Sequence, residues 1–185
     1  MTTAIERLVS KLAPFGLSLL CLLPLRAATL ARLTLADMVS KSTAIVHGRV
    51  TSASTVWQKS IIYTHYQLQV IEQWKGAAQS SVDVAVPGGV LNGIRQTFPG
   101  APDLAIGQEY VLFLWTSSQG ITYTLGFTQG VFSLSKNASG QTMAARAPTT
   151  ETLLDPVTGR PVKDQPLSLP LTQLVSLIAA GGATW

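Results

Sequence analysis

The sequence predicts a mainly β domain with a short helix ahead of the sheet and another helix after it. Three observations carry that prediction. Between Ile61 and Gly76, apolar Tyr66, Leu68 and Val70 alternate with His65, Gln67 and Gln69, the period-two pattern of a half-buried strand. Tyr110 to Trp115 is an unbroken apolar run, the pattern of a strand buried on both faces. Helical signals appear only near the two ends, around Thr34 to Ser42 and Ser168 to Gly182.

Taken in order, Thr34 can cap the first helix with Asp37 three residues on, and Leu35, Met38 and Val39 give it an apolar stripe. Ala44 to Ser52 reads as a strand rich in β-branched residues. Gly48 inside it marks a bulge, a bend or a close backbone approach of the kind a small barrel uses at its corners. Ser52 to Ser60 reads as a polar connection to the Ile61 strand, which closes at Trp74-Lys75-Gly76. Val82, Val84 and Val86 form the next strand, ended by Pro87. Residues 87–109 are a Gly- and Pro-rich irregular stretch, too long for a hairpin turn. Strands are expected at Tyr110–Trp115, Ile121–Phe127 and Val131–Ser135, with Gln141–Ala145 as a short edge strand. Residues 146–166 read as an extended surface crossing, outside the core. Ser168 is the expected cap of the last helix, with Pro170 in its first turn and Leu171, Leu174, Val175 and Ile178 on its apolar face.

At 185 residues the chain has room for one domain. Residues 1–27 read as a secretory signal peptide: Arg7 and Lys11, then an apolar core from Leu12 to Leu25, then small Ala27, Ala28 and Ala31. The expected division is therefore a removed signal at 1–27, a helical lead-in at 28–43 and a β-barrel at 44–145. A Pro-rich crossing follows at 146–167, and the final helix packs on the domain at 168–185. The expected location is secreted or periplasmic, with no stable membrane anchor once the signal is cleaved. Without residues 1–27 the chain carries 10 basic and 8 acidic residues, which gives no electrostatic case for nucleic acid. The single cysteine, Cys21, lies in the signal, so disulfides and cysteine-based metal sites are not expected in the mature chain.

Several of these segments recur together. Val46-x-Gly48-x-Val50 is followed by the alternating strand ending in Trp74-Lys75-Gly76. A valine strand, a long loop and Gly107-Gln108-Glu109-Tyr110-Val111-Leu112-Phe113 come next. Over residues 44–115 this order resembles the netrin-like or TIMP-like OB-fold group, and exported bacterial proteins of uncertain role are similar in the same segments. The resemblance implies a small OB-like β-barrel. It also implies metalloprotease inhibition, which in that family uses an N-terminal cysteine on the target's zinc. The mature chain here has no cysteine, and the family's disulfides are missing, so inhibition would need another surface.

No catalytic set, cofactor or metal site is expected. His47 and His65 read as two surface-facing strand histidines, and there is no H-E-x-x-H or G-x-S-x-G spacing. Glu72 and Asp83 fall near opposite ends of one hairpin. Trp57, Tyr63, Arg95 and Phe98 are the residues loosely suited to stacking a sugar or nucleotide. Trp74 and Trp115 are expected to plug the core. The remaining candidate surface is the 87–109 loop, where Leu91, Arg95, Phe98 and Asp103 could meet a partner, Arg and large aromatics being typical anchors. Against that, the loop could fold over the barrel end and bury Ile94 and Phe98. The expected function is an exported, non-enzymatic protein-interaction domain whose partner is another exported protein. Metalloprotease inhibition and a carbohydrate-binding or hydrolytic module are the alternatives.

Overall fold

The computed structural model describes residues 29–181; the expected signal peptide lies outside them. The chain is mainly β, with one short helix before the main sheet and one after its last strand. Helix α1 (Leu35–Lys41) begins in a complete capping box. The Thr34 hydroxyl accepts from the Asp37 N–H, and the Asp37 carboxylate accepts from the Thr34 N–H.

Strands β2 (Ala44–Gln58) and β3 (Ile61–Lys75) form one long antiparallel hairpin. The expected connection at Ser52–Ser60 is therefore mostly strand. Its polar residues continue the ladder as far as Gln58↔Ile61, and Lys59 takes the left-handed turn at φ 58°. Gly48 sits at a register shift, and a Cβ there would lie 2.9 Å from the Gln69 carbonyl oxygen, so the bulge requires glycine. The Trp74-Lys75-Gly76 exit has a role at each residue. Trp74 lies against the His47 ring, and Lys75 Nζ donates to the carbonyls of Val39 and Ser40 at the C-terminal end of α1. Gly76, at φ 94°, passes the Thr43 carbonyl where a Cβ would come within 2.8 Å.

Strand β4 (Ser81–Pro87) pairs with β3. The small hairpin of β5 (Gly89–Leu91) and β6 (Ile94–Gln96) follows, then β7 (Glu109–Thr116) and β8 (Thr122–Thr124). Strands β9 (Val131–Lys136), β10 (Thr142–Arg146) and β13 (Leu167–Pro170) complete an eight-stranded sheet of order β13-β10-β9-β7-β2-β3-β4-β8. The sheet is not the closed barrel expected over residues 44–145, and β7 is the reason. One edge of β7 pairs with β2. Its other edge is shared, with Tyr110–Leu112 on β9 and Leu114–Thr116 on β8. The sheet thus runs on through β9, β10 and β13, while β8 bridges β7 and β4, in parallel to β4 at Ala85↔Tyr123.

This arrangement buries both faces of β2 and β7. Val46, Val50, Leu112 and Leu114 join Tyr66, Leu68 and the β4 valines in one core. Ile45, Val111 and Phe113 turn the other way and meet α1, Phe132 and helix α2 (Leu171–Ala179) in a second. The unbroken apolar run of β7 follows from this double burial.

Three further expectations are corrected. Residues 141–145 are not at an edge, because β10 has β9 on one side and β13 on the other. The 146–166 crossing contains β11 (Thr152–Leu154) and β12 (Pro161–Val162). β11 pairs in parallel with β1 (Thr29–Ala31), and Leu153 is buried. A two-pronged ion pair from Arg146 to Asp164, at 2.7 and 2.9 Å, ties the two ends of this segment together. Finally, Ser168 does not cap α2. Its backbone is taken up by pairing with Ala145, and the helix starts one residue past Pro170 with no side-chain cap.

Candidate functional site

Among the described residues, two clefts and two histidine–carboxylate pairs bear on the residues singled out in the sequence. The first cleft is built by the 87–109 loop. Gly88 and Gly89, at φ 108° and 138°, let the chain fold back over the β2–β3 hairpin. A Cβ on Gly89 would lie 2.6 Å from Thr64 Oγ1, so no other residue fits. The β5–β6 turn is Asn92-Gly93, both left-handed, as a tight hairpin requires. Side chains then pin the loop. Thr64 Oγ1 donates to the Gly88 carbonyl at 2.7 Å, Thr55 Oγ1 to that of Val90 at 2.9 Å, and the Ile62 N–H to Gln96 Oε1 at 2.7 Å. Leu104 drops into the core, and the Tyr66 hydroxyl donates to Asp103 Oδ1 at 3.0 Å. Burial, with Asp103 alongside, pushes the Tyr66 hydroxyl's pKa up.

Of the four residues expected to form a partner contact, Arg95, Phe98 and Asp103 line one open cleft of about 260 Å³ with Tyr66 and Pro87. Leu91 does not line it; it sits at the β5 end, opposite Ile94. Phe98 is half-buried, but Ile94 is 51% exposed, so the loop does not bury both. Ile94 borders the tight turn of a two-stranded hairpin with few neighbours to cover it.

The second cleft, of about 510 Å³, was not foreseen as a unit. It is walled by Tyr63, Trp115, Tyr123 and Phe127, with Ser117 and Gln119 at its rim. Trp115 and Tyr123 are cross-strand partners whose rings lie 6.1 Å apart and 25° from parallel. Tyr63 stands 6.2 Å from Tyr123 on the other side. Trp115 is 44% exposed and does not plug the core, in contrast to the half-buried Trp74. It shares a face with Val111 and Phe113, but the helices that cover Phe113 do not reach it. Of the four residues considered for stacking, only Tyr63 lies here. Arg95 and Phe98 belong to the first cleft, and Trp57 stands apart near the tip of the β2–β3 hairpin, 41% exposed. Only the β4–β8–β7 pairing brings this set together, so no local sequence signal announced it.

His47 is buried, contrary to the surface position expected of it. Its Nε2 lies 3.0 Å from Glu109 Oε2, and its ring stacks 6.4 Å from Trp74. Arg49 pairs with the other oxygen of Glu109, and hydrogen bonds from His47 and Arg49 hold that carboxyl below its ordinary pKa. His65 has a separate partner, with Nδ1 at 2.7 Å from Asp83 Oδ2 and Nε2 at 3.3 Å from the Gln58 amide. The two histidines therefore do not share a site. Among the described residues no group of three or more His, Cys, Asp or Glu side chains is placed to hold a metal ion. No helix among them is long and apolar enough to cross a membrane.

Compared with family models, curated proteins and solved structures, the chain has no match in any of the three. What the clefts can bind follows from their own side chains.

Proposed function

We propose that this chain is an exported, non-enzymatic interaction domain, and that its 87–109 loop carries the surface met by an exported partner protein. The observation behind this reading is the convergence of Arg95, Phe98 and Asp103 on one cleft in a loop pinned by Thr64 and Tyr66 of β3, by Gln96 on the Ile62 N–H and by buried Leu104. A pinned loop pays little ordering entropy on binding, and an arginine beside an aromatic is a common anchor. Export rests on the basic, apolar and small-residue pattern of residues 1–27. An OB-like core of the netrin type is part of the same proposal. Its support is the succession of pairings β7-β2-β3-β4-β8 with β8 returning to β7, together with the quoted motifs at residues 44–115.

The test is site-specific photo-crosslinking in the exporting cell. A crosslinker at position 95 should yield a discrete adduct with another exported protein. The same group at Val157, which is 91% exposed and lines neither cleft, should not. The adduct should disappear in the Phe98→Ala variant. No adduct from position 95, or the same adducts from 95 and 157, would sink the proposal.

A further inference from the structure

We infer that the aromatic cleft between β3, β7 and β8 is a docking site for a proline-rich, extended segment of a partner protein. This rests on the reading of the chain as an interaction domain. It does not rest on the loop cleft, with which the aromatic cleft shares only Pro87.

The argument begins with charge. No charged side chain lines the cleft, although charged groups such as Arg95 and Asp103 line the neighbouring one. Its complement is therefore an uncharged segment. The second point is the hydrogen-bonding inventory. Among the described residues, Trp115 Nε1, the hydroxyls of Tyr63 and Tyr123, and the Gln119 amide make no hydrogen bonds within the protein. Indole nitrogen is a donor only, phenolic hydroxyls and the Gln119 amide donate as well as accept, and no carboxylate is present. A sugar presents many hydroxyl donors and is less well served by a cleft without a carboxylate acceptor. A proline segment lacks backbone N–H groups and offers only carbonyl acceptors and flat apolar rings. The cleft supplies the converse, donors set among aromatic faces.

Geometry agrees. Tyr63 on β3, Tyr123 on β8 and Trp115 on β7 follow one another with gaps of 6.2 and 6.1 Å between ring centres, so the ridges are held by the sheet and not by a mobile loop. Aromatic ridges of this kind grip the polyproline II helix, which arrives already extended and so loses little entropy. The far wall is Phe127, a non-glycine residue held at φ 58° directly after left-handed Gly126. Backbone strain of this sort persists where the surroundings impose it, and it gathers at ligand clamps.

The experiment titrates the protein with decaproline and follows the indole N–H signals by NMR. A Gly-Ser peptide of equal length serves as control, and a neutral hexasaccharide as the competing ligand class. Saturable displacement of the Trp115 signal by decaproline alone is the expected result. Trp115→Ala should weaken binding by about tenfold or more, the scale of losing one interface anchor. Tyr123→Phe, which keeps the ring and removes the donor, should weaken it by a smaller factor with the fold intact. Trp57→Ala and Phe98→Ala should leave it unchanged. The inference is overturned if decaproline gives no saturable shift, if Trp115→Ala binds as well as wild type, or if the hexasaccharide saturates the cleft and decaproline does not. If decaproline binds but position 95 yields no adduct, the loop proposal fails and this one stands. The reverse pattern removes this one alone.

Discussion

The root and the tip of the β2–β3 hairpin are built from the same two strands and do different work. At the root, Ile45 and Val46 are fully buried on opposite faces, one in each core. Near the tip, Val56 and Trp57 are 40% and 41% exposed, although their backbones are paired just as completely. Pairing thus sets how long the strands are, while burial sets how much stability each residue adds. A strand can run past its core and carry surface, and the root can hold the fold while the outer half presents the two clefts.

The sharpest way to break this contrast is a root substitution. Leu68→Ala removes a fully buried side chain from the first core and should cost about 2–5 kcal/mol. Urea unfolding should show this as a lower midpoint at unchanged slope. A cost below about 1 kcal/mol would mean that this core is loosely packed.

A smaller effect is expected from the charge cluster at the root. The folded-state pKa of Glu109 is depressed, so its contribution is present above the ordinary carboxylate value and is lost as pH falls through the lower, folded one. Asp37, Asp155 and Asp164 are shifted the same way, so wild type should lose stability steadily below about pH 4.5. Glu109→Gln should make that acid decline shallower. Equal slopes for variant and wild type in thermal melts across this range would show that the His47–Glu109–Arg49 cluster does not couple to folding.

The smallest effect belongs to the tip. Trp57→Ala should change stability by no more than about 0.5 kcal/mol. A loss comparable to that of Leu68→Ala would erase the distinction between root and tip.

Features that depend on near neighbours in the chain were legible. The Thr34–Asp37 capping box and the buried face of Tyr66 and Leu68 follow from spacing alone, while Gly48 signalled a bulge, a bend or a close approach, and the structure shows a bulge at a close approach. The double burial of Tyr110–Leu114 was visible as an apolar run without a period. Features that depend on a distant partner were not. Ser168 has the chemistry of a helix cap, but pairing with Ala145 takes it into a strand. His47 looks like any polar strand residue until Trp74 covers it and Glu109, 62 residues away, accepts its hydrogen bond. The candidate surfaces divide along the same line. Arg95, Phe98 and Asp103 lie close in sequence and could be grouped by reading. Tyr63, Trp115 and Tyr123 belong together only because β8 bridges β4 and β7.

The sequence by itself therefore determined α1, β3, β4, β7 and β9 and most of their buried faces, because propensity, capping and alternation act over a few residues. Tertiary structure alone decided that the sheet forks at β7 instead of closing, that Trp115 is left uncovered, and that four aromatic rings line one cleft. Those outcomes turn on which strand edge finds which partner, and the competing partners lie tens of residues away, beyond the reach of any local pattern.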